Sequence, residues 1–397
     1  MAYILSVGTS LPKHHVDQQA AAQFARSQFK RSFKDIDRLL KAFNNGEIES
    51  RQFVQPIDWY QEHHSFEEKN NLYVEKALAH AKEAVFHCLH ETAFLTMPVP
   101  FDEIDALFFI SSTGLSTPSL DAKLMNVLPF SPYTKRVPIW GLGCGGGAAG
   151  LSRAYEYIRA YPEAKVLVVA CWGLGCGGGA AGLSRAYEYI RAYPEAKVLV
   201  VACELCSLTF QPQDQSKSNL IGTSLFGDGT AAVLLTGEKA ASKYTRLKTV
   251  PKVLGTQSVT MKDSEDVMGW DFTADGFRVI FSRDIPSIIS GWLKEQVDQF
   301  LHQLGFSTED VSVFLAHPGG KKVIDAYLES LSLQEHQLFS SKEVLKQHGN
   351  MSSATVLYVM KHFLEHQSLD AGQVGLCGAL GPGFSSELLL MKWEGLS

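Results

Sequence analysis

Residues 136–171 read RVPIWGLGCGGGAAGLSRAYEYIRAYPEAKVLVVAC, and their order of patterns decides the fold class. A short apolar strand at 136–139 leads into a glycine-rich turn, a helix through about residue 160, a polar connector at 161–164 and a second strand at 165–170. Strand, helix and strand in this order predict a βαβ unit, which normally forms a right-handed crossover in a parallel or mixed sheet. The chain is therefore predicted to be an α/β protein.

Residues 140–171 recur without a change as residues 172–203, with no linker between the copies. Natural repeat arrays diverge and need about three or more units to bury a continuous core, so this pair indicates a tandem duplication and not a solenoid. A single fold has room for only one such turn, so the equivalent of one copy must lie outside the fold. Because the copies are identical, the fold can use the first copy up to some residue, which we call the cut, and the second copy after it. We expect the cut in the polar connector 161–164, because an insertion in a surface loop costs only modest entropy. This choice places Cys144 in the fold in preference to its duplicate Cys176, together with the second-copy strand 197–203.

The rest of the chain continues the alternation of helices and strands. The clearest elements are a helix at 73–94, strands at 104–110, 231–235 and 311–316, helices at 286–304, 321–332 and 352–366, and closing strands at 374–379 and 386–393. The segment 236–249 is polar and lacks periodicity, which predicts a boundary between an N-terminal half, 1–240, and a C-terminal half, 241–397. Two similar α/β halves favour a site between them.

Composition excludes several classes of function. The 397 residues carry 36 Lys and Arg against 42 Asp and Glu, a net charge of −6, which disfavours nucleic acid as a partner. No apolar run approaches the ~20 residues of a membrane span, and the first residues lack a cationic signal region, so we expect a cytoplasmic protein. Seven cysteines at irregular spacing predict free thiols and no disulfide framework.

The glycine-rich turn suggests two kinds of chemistry. Gly141, Gly143 and Gly146 match GxGxxG, but the strand that follows lacks the acidic residue that a dinucleotide site needs. Cys144 lies in the same turn, where small neighbours expose a thiol and the positive end of a helix dipole lowers its pKa from about 8.5. A nucleophile is thus one interpretation of Cys144, and a small buried packing residue is the other.

Two further motifs could complete such a site. His317 ends an apolar strand and precedes Gly319 and Gly320, which let a ligand approach the backbone. Asn350 precedes the helix at 352–366, where a simple capping role is the alternative. Neither residue decides the function by itself.

Taken together, the motifs resemble the chalcone synthase-like type III polyketide synthases of the thiolase-like superfamily. The matching stretches are GLGCGG at 141–146, LFGDGTAA at 225–232, AHPGG at 316–320, GNMSSA at 349–354 and GALGPGF at 378–384. The resemblance spans nearly the whole chain. It implies a five-layer αβαβα fold, a homodimer, and acyl-CoA and malonyl-CoA as substrates, with no metal or redox cofactor.

The resemblance also implies the roles of the three residues. The thiolate of Cys144 would attack the starter acyl-CoA, while His317 and Asn350 would donate to the thioester oxygen and to the enolate left when malonyl-CoA loses CO₂. Ketoacyl-ACP synthase III shares this triad, but typically follows its histidine with Gln-Ala-Asn where this chain has Pro-Gly-Gly. A papain-like cysteine hydrolase normally places its cysteine near the mature N-terminus. A fold made inactive by the duplication stays an alternative.

Pocket residues follow from the same resemblance. Phe226 would stand between the CoA tunnel and the cavity, and Thr209 keeps the family residue. Val279 replaces a usual phenylalanine and Cys206 a frequent threonine, and both changes are expected to widen the cavity. Thr117 replaces a methionine that crosses the dimer interface in plant enzymes. We therefore expect a long aliphatic starter and alkylpyrone or alkylresorcinol products.

Basic residues near the family's CoA positions are Arg38, Lys41 and Arg51. A net-negative protein must gather positive charge locally to hold an acidic ligand. A solvated helix face is the alternative interpretation.

Overall fold

The computed structural model of the protein describes residues 2–139, 177–273, 276–282, 284–382 and 384–396. Its strands are β1 Ala2–Ser10, β2 His14–Asp17, β3 Ser50–Phe53, β4 Ala106–Ile110, β5 Lys135–Ile139, β6 Lys197–Leu205, β7 Asp228–Thr236, β8 Val250–Thr260, β9 Met268–Thr273, β10 Gly276–Phe281, β11 Val311–Ala316, β12 Val374–Gly381 and β13 Ser385–Glu394. Its α-helices are α1 Gln18–Phe29, α2 Ile36–Asn45, α3 Phe66–His90, α4 Leu120–Val127, α5 Gly178–Ala192, α6 Lys217–Leu225, α7 Glu238–Tyr244, α8 Ile285–Ile288, α9 Lys294–Gln303, α10 Lys321–Ser330, α11 Phe339–His348 and α12 Thr355–His366.

A nine-stranded mixed sheet in the order β11-β12-β13-β8-β1-β7-β6-β4-β5 organises the molecule. Five of its neighbouring strands come from residues 2–236 and the other four from residues 250–394. The two groups meet where β1 pairs with β8 through Ala2 and Tyr3. Strands β6 and β7 are almost entirely buried, as their continuous apolar sequences require when helices cover both faces. The α/β class is thus confirmed, whereas the division at residue 240 stays a prediction.

The βαβ unit is present, but the described helix and strand both come from the second copy. Strand β6 runs parallel to β4, with Ala106 opposite Val198 and Ile110 opposite Ala202. Helix α5 packs on β4 and β6 from one group of strands and on β12 and β13 from the other. The prediction that the fold takes its helix from the first copy is therefore wrong. Residues 140–171 lie outside the described residues.

The short connector between α5 and β6 explains why a cut there is unfavourable. A Cβ atom on Gly237 would lie 1.6 Å from the carbonyl oxygen of Pro194, so the connector packs tightly on the turn between β7 and α7. The amide of Gly237 also donates to the carbonyl of Ala196 at 3.3 Å. An insertion in this connector would break these contacts, because it is a packed element and not the free surface loop that its polar sequence suggested.

Most other predicted elements are present with shifted ends. The helix predicted at 73–94 is α3, and it begins earlier because Ser65 and Glu68 form a capping box. The polar segment predicted as a boundary contains the short helix α7. Within the described ranges, no helix combines the length and the apolar character that a membrane crossing needs.

Candidate active site

His317 follows the last residue of β11, and its backbone is fixed to the neighbouring strand. Its amide donates to the carbonyl of Gly378 on β12 at 2.8 Å. The side chain is 2% exposed, and neither ring nitrogen has a hydrogen-bond partner among the described residues. Burial lowers the pKa of His317 to about 4, so the imidazole is neutral near pH 7. A neutral ring offers one N–H donor and one acceptor to a ligand.

Asn350 lies beside the histidine loop, as the sequence predicted. It is 1% exposed, and its side-chain nitrogen donates to the carbonyl of Gly319 at 3.4 Å. Its side-chain oxygen accepts from the amide of Ser352 at 2.8 Å. The backbone of Asn350 pairs with the segment that follows α6, donating to Leu225 at 2.8 Å and accepting from Gly227 at 3.0 Å. The asparagine is therefore oriented by both its side chain and its backbone.

The N-terminal end of α5 lies against the end of β12 and the segment that follows Asn350. A Cβ atom on Gly177 would be 3.2 Å from the backbone of Gly381, at the end of β12. A Cβ atom on Gly179 would be 2.1 Å from the carbonyl oxygen of Ser353, three residues after Asn350. Only glycine permits so close an approach. The start of α5, the end of β12 and the segment after Asn350 are therefore in close contact, and the amide end of this 15-residue helix lies at that contact.

Two cavities adjoin Phe226, whose backbone pairs with that of Asn350, and they share one wall. The larger, which we call the main cavity, has an empty volume of about 510 Å³, and the smaller adjoins Ser352 and Pro382 and has about 300 Å³. Phe226, Val279 and Trp270 line both cavities. The aromatic rings of Phe226 and Trp270 pack with centroids 6.0 Å apart.

Comparison with known proteins assigns the family. The family model described as chalcone and stilbene synthases, C-terminal domain, matches residues 253–393, and the corresponding N-terminal domain matches residues 1–173 and 171–239. The chain belongs to the chalcone and stilbene synthase family of type III polyketide synthases. Its members are decarboxylative condensing enzymes of the acyltransferase class, and so is this protein. Each of the two N-terminal matches contains one copy of the duplicated block.

Individual relatives agree with this assignment over nearly the full length. A Bacillus subtilis (strain 168) protein named "Putative chalcone synthase" is 58% identical over 99% of each chain. The 1,3,6,8-tetrahydroxynaphthalene synthase of Streptomyces peucetius subsp. caesius is 32% identical over 98% of this chain and 93% of its own. The crystal structure of the Streptomyces coelicolor A3(2) enzyme of that name superposes with a TM-score of 0.82 at 26% identity, covering 99% of each chain.

The cysteine predicted as the nucleophile of this synthase, Cys144, lies outside the described residues, and so does its duplicate Cys176. Four other cysteines are described, and all are buried free thiols: Cys88, Cys203, Cys206 and Cys377. Of these, Cys206 lines the main cavity together with Thr209, whose hydroxyl donates to the Cys206 carbonyl at 2.7 Å. The predicted contribution of both residues to a pocket is consistent with this position.

Trp270 is a pocket residue that sequence reasoning missed. Val279 on β10 lies directly opposite Trp270 on β9 in the antiparallel hairpin. The indole packs on Phe226 and on Phe277, each with centroids 6.0 Å apart. The expectation that a valine at 279 widens the cavity therefore omitted a large neighbour that fills the adjacent space. The cross-strand pairing of 279 with 270 was the available signal, but it requires the hairpin register.

The remaining predicted site residues lie in different places. Gly319 and Gly320 form the turn after His317, and Gly320 directly precedes α10. Thr117 is exposed and does not line either cavity. Arg38 and Lys41 lie on the exposed face of α2, where a role in CoA binding stays a prediction.

Arg51 does not fit the predicted role in CoA binding. It is completely buried, and its guanidinium donates to the main-chain carbonyls of Thr223 at 3.1 Å and Phe226 at 3.3 Å. A phosphate in solvent cannot reach it. The interpretation of Arg51 as a CoA ligand is therefore wrong, because the Arg51 side chain on β3 is buried and bonded to main-chain carbonyls.

Glu204 at the end of β6 is a second group that the sequence did not single out. Its carboxyl is fully buried and accepts from the amide and hydroxyl of Ser112 at 3.0 and 2.9 Å, from the hydroxyl of Thr113 at 3.1 Å, and from the hydroxyl of Ser353. Burial raises its pKa to about 7 despite these bonds. Glu204 thus links the loop after β4 to the segment that follows Asn350.

Proposed function

We propose that this protein loads a long-chain fatty acyl group from acyl-CoA onto a cysteine and extends it with malonyl-CoA. The thiolate attacks the starter thioester and CoA leaves, which gives an acyl-enzyme. Malonyl-CoA then loses CO₂, and the resulting enolate carbon attacks the acyl thioester to form the new carbon–carbon bond. Repetition and cyclisation give alkylpyrones or alkylresorcinols. This chemistry requires no metal or redox cofactor.

The observation that carries the proposal is the position of His317 beside Asn350. An enolate oxygen needs donors that are already in place, because reorganising them during the reaction would cost free energy. The neutral, buried ring of His317 has both nitrogens available among the described residues, and Asn350 is held by its neighbours on the adjacent segment. Together they form a preorganised donor pair in a site shielded from water.

We propose Cys176 as the nucleophile, in place of Cys144. Cys176 directly precedes Gly177 in the sequence, so it is covalently joined to the described start of α5. Gly177 in turn packs against Gly381, beside the strand that carries His317. Cys144 has no such covalent link to the described helix. The single turn for which the fold has room is therefore assigned to the second copy.

The long aliphatic starter is supported by the main cavity. Aromatic side chains supply much of its lining, as is typical of sites that bind apolar small molecules. Phe24, Phe53 and Phe210 line the main cavity and not the smaller one. Such a surface favours an acyl chain through burial of its methylene groups.

The experiment is mass spectrometry of products from a mixed acyl-CoA panel with malonyl-CoA, together with the release of CO₂. We expect CO₂ release and pyrone or resorcinol masses that derive from lauroyl-CoA in preference to benzoyl-CoA. Preference for an aromatic starter would overturn the substrate assignment. Absence of CO₂ release would overturn the activity, and a requirement for acyl-ACP would instead assign a ketoacyl-ACP synthase III type of reaction.

We also propose that the protein is a homodimer, as the family resemblance implies. Strand β5 forms one end of the described sheet, and Tyr133 just before it is 89% exposed. Light scattering on the purified protein should give twice the mass of one chain. A monomeric mass would contradict the proposal.

A further inference from the structure

Arg51 is a buried cation whose described partners are all uncharged. One guanidinium nitrogen donates to the carbonyls of Thr223 and Phe226, and the other donates to the side-chain oxygen of Gln18. No carboxylate is paired with it in the described part of the chain, and its Nε atom has no partner there. A charged group without a counter-ion is costly to bury, so an arginine here requires an explanation beyond packing.

The partners of Arg51 either belong to the carbonyl end of α6 or bind to it. Arg51 binds the carbonyls of residues 223 and 226, Gln18 donates to the carbonyl of Ser224 at 3.4 Å, and the amide of Asn350 donates to that of Leu225 at 2.8 Å. The last carbonyls of a helix lack intrahelical partners and carry partial negative charge. The guanidinium therefore serves as the cation that this helix end favours, with one nitrogen on two carbonyls and the other on the Gln18 side chain.

This helix end is also the support of the candidate active site. Phe226, which lines both cavities, is the residue that follows α6. The segment pairs with Asn350 through two backbone hydrogen bonds. A Cβ atom on Gly227 would lie 2.4 Å from the His348 carbonyl, and one on Gly349, whose φ is +66°, would lie 2.6 Å from the Leu225 carbonyl. The two segments are thus in such close contact that a displacement of one would move the other.

We propose that Arg51 is a positioning residue that holds Phe226 and Asn350 in a single arrangement through the carbonyl end of α6. The inference rests on the proposed function, since it assigns to Asn350 the enolate oxygen of the decarboxylation step. A donor displaced by even a fraction of an ångström loses its advantage in the transition state, whereas the binding of CoA by distant residues is unaffected. Asn350 is a donor in both steps, but acyl loading is driven by the cysteine thiolate, whereas the enolate is stabilised by the donor pair alone. Loss of Arg51 therefore impairs decarboxylation more than it impairs acyl loading.

The test compares Arg51→Met and Arg51→Lys with Arg246→Met, which removes an exposed arginine. Steady-state decarboxylation of malonyl-CoA and the rate of acyl-enzyme formation from lauroyl-CoA are measured separately, with thermal unfolding as a check of folding. For Arg51→Met we expect kcat for decarboxylation to fall about 10- to 100-fold, with KM within about twofold and loading close to wild type. Arg51→Lys should recover part of kcat, because lysine keeps the positive charge but lacks the second nitrogen of the planar guanidinium. Arg246→Met should behave as wild type.

Several outcomes would overturn the inference. One is a folded Arg51→Met protein with unchanged kcat for decarboxylation, and another is an equal loss of loading and decarboxylation. If Arg51→Met does not fold, Gln18→Met removes one support of the same helix end without loss of charge. An unchanged kcat in that variant would likewise refute the role of this helix end. A wild-type protein that releases no CO₂ would refute the proposed function instead.

Discussion

Trp270 is the side chain with the largest expected influence on starter size. It lies opposite Val279 and packs on Phe226, so its removal joins space on the two sides of the shared wall. We predict that Trp270→Ala raises kcat/KM for lauroyl-CoA relative to hexanoyl-CoA by about tenfold, in line with the ~10–200-fold effect of a methylene in an apolar pocket. The reciprocal variant Val279→Phe should lower the same ratio. A ratio unchanged in both variants would exclude the shared wall from starter selection.

Asn350 and His317 are the residues on which decarboxylation depends. We predict that His317→Gln and Asn350→Ala each lower kcat for CO₂ release from malonyl-CoA by about 10²–10³-fold, the usual effect of removing one oxyanion donor. Arg246→Met, an exposed substitution outside the residues that line the cavities, is the control and should retain activity. Full decarboxylation in either donor variant would contradict the proposed site.

At the residue scale, the sequence predicted the motifs but not the side chains that pack around them. His317 and Asn350 could be predicted because each is embedded in a specific short motif, and both are buried where the fold brings their segments together. Arg51 was misplaced and Trp270 was overlooked, because burial and cross-strand neighbours depend on tertiary packing and not on local pattern.

At the scale of elements, the connector between α5 and β6 determines which copy of the duplicated block is used. We predict that Gly237→Ala destabilises the protein by about 1–3 kcal/mol or more, because the added methyl group would overlap the Pro194 carbonyl. Gly291→Ala is the matched control, since nothing lies within 4 Å of its Cβ position. Urea denaturation gives both free energies of unfolding. Equal values for the two variants would show that the connector can move freely.

The fold class was predictable at this scale because strand and helix periodicities are local. The choice of copy was not, because two identical sequences have identical local preferences and only packing distinguishes them. The tight contact of Pro194 with Gly237 is a tertiary feature, invisible in a connector that reads as polar.

At the scale of the whole molecule, buried ionisable groups give the stability a two-sided dependence on pH. Burial raises the pKa values of Glu204, Asp228 and Glu387 to about 7, because it favours the protonated carboxyl. The contribution of these groups to the free energy of unfolding is fully present below about pH 4.5 and is lost as the pH rises through 7. Burial lowers the pKa values of His317 and His348 to about 4, so the stability that their neutral forms provide above pH 6.5 is lost as the pH falls toward 4.

The carboxyl part of this dependence is testable with one variant. We predict that Glu204→Gln reduces the loss of unfolding free energy between pH 5 and pH 8, since each unit of pKa difference corresponds to about 1.4 kcal/mol. Glu309→Gln, an exposed substitution, should leave the loss as in wild type. The same pH dependence in Glu204→Gln as in wild type would show that this carboxyl does not titrate with folding.

The most direct test of the central claim is the mass of the intact protein after incubation with lauroyl-CoA. The duplicated chain is assigned as an acyl-loading synthase whose nucleophile belongs to the second copy, next to the described helix α5. Cys144→Ser should therefore gain one lauroyl group, as wild type does, whereas Cys176→Ser should gain none. A lauroyl adduct that persists in Cys176→Ser and disappears in Cys144→Ser would contradict the account.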